Sequence, residues 1–167
     1  MDDWQRHNRI WLPRTGQTTS YDTGDDGAYE AGMPPGPALL NLGDDTVYDP
    51  RTDLQWGLAA LGAPTAYAWT DALAACEACT LAGYTDWRPP NRLEMASLIN
   101  HEETSNPRFY DPWNTVGPQA DRYWSSTTRP GATTYAYYCS TTSGLLSYAA
   151  KTTTYYVLPV RRGRING

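Results

Sequence analysis

From Arg122 to Arg162 the chain is written as short β segments: "RYWSSTT" (122–128), "TYAYYCS" (134–140), "GLLSYAA" (144–150) and "YYVLPVRR" (155–162). Each is rich in β-branched and aromatic residues and is set off by Gly, Pro, Ser and Thr turns, which predicts a run of antiparallel strands. Upstream, "DTVYDPRTDLQW" (45–56) reads as a hairpin, with Val47 and Tyr48 before a Pro50 turn and Leu54 and Trp56 after it. Two helical segments lie between. An early hairpin, two helices and a run of strands predict an α+β domain in which the first and last strands can pair.

The first helix is expected within 65–83, where Trp69, Ala72, Leu73, Cys76 and Cys79 or Thr80 recur at helical spacing. Thr65 is placed to cap its start and Gly83 to stop it. The second is expected over 91–100, with Asn91 as cap, Glu94 reaching back in a capping box, and Leu93, Met95, Leu98 and Ile99 facing inward. Pro89 and Pro90 keep the two apart.

At 167 residues the chain is long enough for one domain with a real core. Residues 1–43, polar and rich in Gly and Pro with "MPPGP" at 33–37, read as an extended N-terminal arm, and 44–167 as the folded domain. A net charge of −5, with twelve Arg and one Lys, argues against nucleic acid or another polyanion as the main partner. The one basic cluster is Arg161, Arg162 and Arg164. No apolar run approaches the ~18 residues of a membrane span, and the first residues carry no apolar leader segment. "LPRTG" (12–16) matches a cell-wall sorting pentapeptide, but no apolar stretch and basic tail follow it.

Metal and redox chemistry find little support. Cys76 and Cys79 have metal or redox spacing, but a zinc site needs four ligands and only Cys139, His7 and His101 remain, widely scattered. Packing on a helix, with one disulfide to Cys139 as an option, is the better reading. "DTGDDGAYE" (22–30) looks like a calcium loop, but Gly24 and Met33 stand where ligands should be. An acidic turn is preferred. Weak calcium binding at Asp22, Asp25 and Asp26 is the alternative, and no cofactor is expected otherwise.

The stretch 132–156 holds six Tyr, seven Thr, three Ser and a single charge, Lys151. Antibody loops use this chemistry, with rigid amphipathic rings for contact and small hydroxyls for adaptable hydrogen bonds. The same composition also suits ordinary strands. The residues expected to meet a ligand are Thr128, Thr133, Tyr135, Tyr137, Tyr138, Ser140, Thr142, Tyr148, Thr153 and Tyr155. Alternation puts Tyr135 and Tyr137 on one face and Tyr138 on the other. Trp56, Trp69, Trp87, Arg88 and Trp124 are expected to hold the frame, with Arg88 bonding carbonyls or Asp86.

"TVYDPRTDLQW", "AGYTDWRPPNRLEMASLI", "YWSSTT" and "YVLPVRRG" together, in this order and spacing, resemble the Lcl C-terminal domain family, over about residues 43–163. The resemblance implies a C-type-lectin-like fold, with two helices packed on short antiparallel sheets and adjacent N- and C-terminal strands. Family members often carry a Cys where this chain has Pro159, so a disulfide from the first helix to the last strand is not expected. The Glu-Pro-Asn and Trp-Asn-Asp signatures of calcium-dependent sugar binding are absent. The same fold serves variable proteins of diversity-generating retroelements, and residues 127–156 resemble such a variable segment.

These readings point to a non-enzymatic, receptor- or adhesin-like binding domain, bacterial or phage, at a cell surface, secreted or on a virion. Its partner would be a protein or a glycan. A structural subunit of a surface or virion assembly, a homo-oligomer docked through the arm by Trp4, Ile10 and Trp11, is the alternative. An oxidase like the formylglycine-generating enzymes is disfavoured, because Cys139 has no second cysteine in the late strands.

Overall fold

A computed structural model describes residues 14–32, 39–105, 107–113 and 121–163. The expectations placed on Trp4, His7, Ile10, Trp11, residues 33–37 and Arg164 lie outside the described residues. The fold is α+β. Its first sheet is antiparallel, in the order β1 (Leu40–Asn41), β2 (Thr46–Asp49), β3 (Leu54–Gly57), β7 (Val160–Arg162). The early hairpin and the last strand therefore adjoin, with Trp56 opposite both Val47 and Val160. The second sheet is β4 (Arg122–Thr128), β5 (Tyr135–Ser140) and β6 (Leu145–Ala150). Strand β1 pairs with β2 from the arm side of the boundary expected at residue 43.

A four-residue helix, α1 (Asp26–Tyr29), precedes the first sheet, and α2 (Trp69–Glu77) and α3 (Arg92–Ala96) lie between the hairpin and the second sheet. Helix α2 is shorter than expected. It starts after Ala68, which offers no side-chain cap, because Tyr67 is already committed to backbone pairing with Tyr155 (2.9 and 3.0 Å). Thr65 sits instead in a turn, its amide bonded to the Gly62 carbonyl at 2.8 Å. Gly83 ends a short 3-10 turn (Leu81–Gly83) rather than α2, at φ +78°.

Helix α3 carries the capping box in full. Asn91 Oδ1 accepts from the Leu93 and Glu94 amides (2.8 and 2.9 Å), and Glu94 Oε2 accepts from the Asn91 amide (2.7 Å). Leu93, expected on the inner face, is 70% exposed, whereas Met95, Leu98 and Ile99 are buried. Two residues apart on a helix means nearly opposite sides, so Leu93 and Met95 cannot both face inward.

The last expected strand is mostly not strand. Tyr156 pairs in parallel with Tyr123 of β4, and only Val160–Arg162 joins the first sheet. Val157, Leu158 and Pro159 are buried where the chain crosses from one sheet to the other. The main core fills the space between the sheets with Val47, Trp56, Met95, Phe109, Trp113, Tyr123, Cys139 and Leu158. A smaller core packs Ala72 and Cys76 of α2 against Trp124, Ala136 and Val157.

The described part of the arm lies on the body. Glu102 accepts from the Thr18 amide at 2.8 Å and from the Thr19 hydroxyl at 2.5 Å, and the Tyr110 hydroxyl donates to the Arg14 carbonyl at 3.0 Å. A β-carbon at Gly16 (φ +92°) would meet Asn100 Oδ1 at 2.1 Å, so only glycine allows this approach. No described helix is long and apolar enough to cross a membrane.

Candidate binding face

Alternation along β5 divides the second sheet into two faces. Tyr135, Tyr137 and Cys139 share one; Ala136, Tyr138 and Ser140 share the other. Cys139, opposite Tyr123 and Leu146, closes the main core at one end of the first face. Beyond it the face emerges as aromatic rings. Tyr148 of β6 stands opposite Tyr137 and meets it edge-on at 6.3 Å, and it meets Tyr135 edge-on at 6.0 Å. Tyr135 and Tyr148 are 38% and 43% exposed, and Tyr137 is half-buried between them and α3.

Two guanidinium groups complete the cluster. Arg92, the first residue of α3, stacks over Tyr137 at 4.5 Å, with its amide fixed to Thr127 Oγ1 at 3.1 Å. Arg129 stacks over Tyr148 at 3.8 Å. The turn that returns the chain to β5 places Arg129 there: its amide donates to the Tyr135 carbonyl (2.9 Å), and Gly131 takes φ +75°. Among the described residues neither arginine has a carboxylate partner, and none of the three phenol hydroxyls has a hydrogen-bond partner. Stacked cation–aromatic pairs with unused donors suit contact with a ligand.

The ten residues read from sequence do not form one patch. Tyr138 and Tyr155 pack with Trp124 on the opposite face, with ring centroids 4.7, 4.8 and 6.4 Å apart, under the Arg122 guanidinium. Burial raises the Tyr155 pKa. Thr128 accepts from Lys151 Nζ at 2.9 Å, and that ammonium stacks on Trp69 at 3.7 Å. Thr133 is exposed in the β4–β5 turn, and Thr153 is half-buried after β6, its amide on the Ala150 carbonyl. Ser140 and Thr142 lie at the far end of β5, about five residues of ~3.3 Å each from Tyr135.

Trp56, Trp87 and Trp124 are buried, and Trp69 is half-buried with its indole donating to the Ser125 carbonyl (2.8 Å). The Trp87 indole donates to the Leu81 carbonyl at 3.0 Å. Arg88 forks onto Glu94 (2.6 and 2.9 Å) and the Pro89 carbonyl, not onto Asp86. Asp86 is held instead by Arg161, which also donates to Gln55 Oε1 at 2.6 Å.

The three cysteines are free. The expected option of a disulfide fails on geometry: Cys139 looks into the main core, while Cys76 on α2 covers the opposite face of the sheet. Burial pushes both thiols up to about 12. In the arm, Asp25 caps α1 and accepts from the Tyr21, Asp22 and Ala28 amides, Asp26 accepts from Thr15, and Asp22 accepts from the Thr23 amide. No group of three or more His, Cys, Asp or Glu among the described residues is placed to hold a metal ion.

Arg92 and Arg129 were not singled out from the sequence. For Arg129 a signal was present, since all eighteen acidic residues lie within 1–121 and 122–167 carries six cations and no acid; Arg92, within the acid-bearing part, had none. A comparison with curated proteins found no match. The profile of the Lcl C-terminal domain matches residues 45–161.

Proposed function

Because the chain belongs to the Lcl C-terminal domain family, we propose that it is a non-enzymatic ligand-binding module whose partner, a protein or a glycan, docks on the Tyr135, Tyr137 and Tyr148 face. The observation that carries this reading is a cluster of mutually packed rings on one face of the second sheet, with Tyr135 and Tyr148 exposed and Tyr137 half-buried between them. Tyrosines ordered by their neighbours lose little entropy on binding, and exposed aromatic anchors of this kind supply ~2 kcal/mol hot spots. Burial of Cys76 and Cys139, with both thiols pushed up, disfavours thiolate chemistry at these two residues.

The reading extends to a C-type-lectin-like frame and to a variable segment at 127–156, as in the retroelement-diversified proteins that the sequence resembles. The ring face and the turn that carries Arg129 both fall in that segment. An adjacent reverse transcriptase gene and a near-copy of the 3′ coding segment would support the variable-segment reading, and their absence would remove it.

The binding function is tested with a glycan array and a phage-displayed random peptide library, each screened with the wild-type chain and with the Tyr135→Ser/Tyr148→Ser variant. Ligands retained by the wild type and lost by a folded variant support the proposal. Ligands retained equally by both place the binding surface elsewhere.

A further inference from the structure

We propose that the occupant of this face is an extended protein segment bearing two carboxylates with apolar residues between them, one for Arg92 and one for Arg129. The inference rests on the reading of the ring face as the binding surface and adds the chemistry of its ligand. The two guanidinium groups flank the rings: Arg92 stacks on Tyr137, Tyr137 meets Tyr148, and Arg129 stacks on Tyr148. About four extended residues, at ~3.3 Å each, span the greatest separation these three contacts allow.

A guanidinium stacked on a ring keeps its N–H edges free for a planar acceptor, and a carboxylate is the planar acceptor proteins offer. Neither arginine spends that fork on an acid among the described residues. The rings between them offer apolar contact and unused phenol hydroxyls, which match side chains and backbone groups of a peptide.

A polyanion is the poorer fit. Its affinity grows with the number of charges neutralised, and among the described residues the cations stacked on these rings are Arg92 and Arg129. The remaining cations of the sheet are spent elsewhere: Arg122 over Tyr138 and Tyr155, and Lys151 over Trp69, both on the opposite face.

The test uses a phage-displayed library of random dodecapeptides selected on the full chain, followed by fluorescence anisotropy with a synthetic copy of the most enriched peptide. Enriched peptides are expected to hold two acids three to five residues apart with apolar residues between. Changing those acids to amides, or the chain to R92Q/R129Q, is expected to weaken binding at least tenfold, and combining the two changes to weaken it little further. Thermal melting of R92Q/R129Q checks that the variant is folded. Peptides without acids, lost in Tyr135→Ser/Tyr148→Ser but not in R92Q/R129Q, overturn the carboxylate assignment and leave the face as the binding surface. Binding indifferent to both sets of changes overturns the assignment and the face together. Heparin binding to the face without acidic-peptide enrichment, or self-association abolished by R92Q/R129Q, also overturns the proposed occupant.

Discussion

Asp49 and Arg51 form a bidentate pair at 2.8 and 2.9 Å with both side chains almost fully buried. Removing one partner strands the other charge, so Asp49→Ala is expected to lower stability by about 3–5 kcal/mol, read by denaturant melts. A loss under about 1 kcal/mol would mean that water reaches the site. At Cys76 and Cys139 the pKa of about 12 leaves almost no thiolate at pH 8. Both are expected to resist an aromatic disulfide reagent until the protein is unfolded; rapid labelling of Cys139 in the native protein would reopen cysteine chemistry. Local partners were legible in the sequence at this scale, as with Asn91 and Glu94, because a three-residue offset on a helix fixes who can bond whom. Arg161 with Asp86 and Gln55 was not, because those residues meet only after the chain closes its first sheet.

Elements were read correctly where a local pattern decides them and misread where tertiary pairing does. The hairpin and strands β4 to β6 follow alternation and turn chemistry. Helix α2 begins late because Tyr67 pairs with Tyr155, eighty-odd residues on, and periodicity cannot see that. The cap of α3 is local, and Asn91→Ala is expected to cost about 1 kcal/mol. The two faces of the second sheet should respond differently to truncation. Trp124→Ala opens the smaller core and is expected to cost about 3–5 kcal/mol. Tyr135→Ser/Tyr148→Ser removes exposed edge-on contacts worth about 1 kcal/mol together. Equal losses from both would mean that the tyrosine face is structural.

Across the whole molecule, the acids are confined to residues 1–121, and the described part of the arm, which carries four of them, is laid over the body. Asp25 sits below its ordinary pKa of 3.8, chiefly through the Tyr21 amide, and Glu102 below 4.5, chiefly through the Thr19 hydroxyl. Lowered carboxylate values stabilise the folded arm fully above those ordinary values, and that contribution disappears as pH falls through the lowered ones. Residues 18–28 are therefore expected to loosen near and below pH 4 while the core remains, seen as amide shifts of Thr18, Tyr21 and Ala28 moving before those of β5. Simultaneous loss of both would mean that the arm and core are one unit. Composition pointed to a tyrosine-rich surface, but composition carries no information on which face a ring takes. Strand parity separated Tyr135 and Tyr137 from Tyr138, while the partners Arg92 and Arg129 came from a helix end and a turn that the alternation does not reach.

The most direct test of the account is hydroxyl-radical footprinting of the chain with and without a bound partner. Tyr21 and Tyr29 on the arm are 79% and 74% exposed, more open than any ring of the sheet face, and so serve as internal controls. The account predicts that the partner shields Tyr135 and Tyr148 and leaves Tyr21 and Tyr29 as reactive as before. Shielding of the arm tyrosines with Tyr135 and Tyr148 still reactive would contradict it.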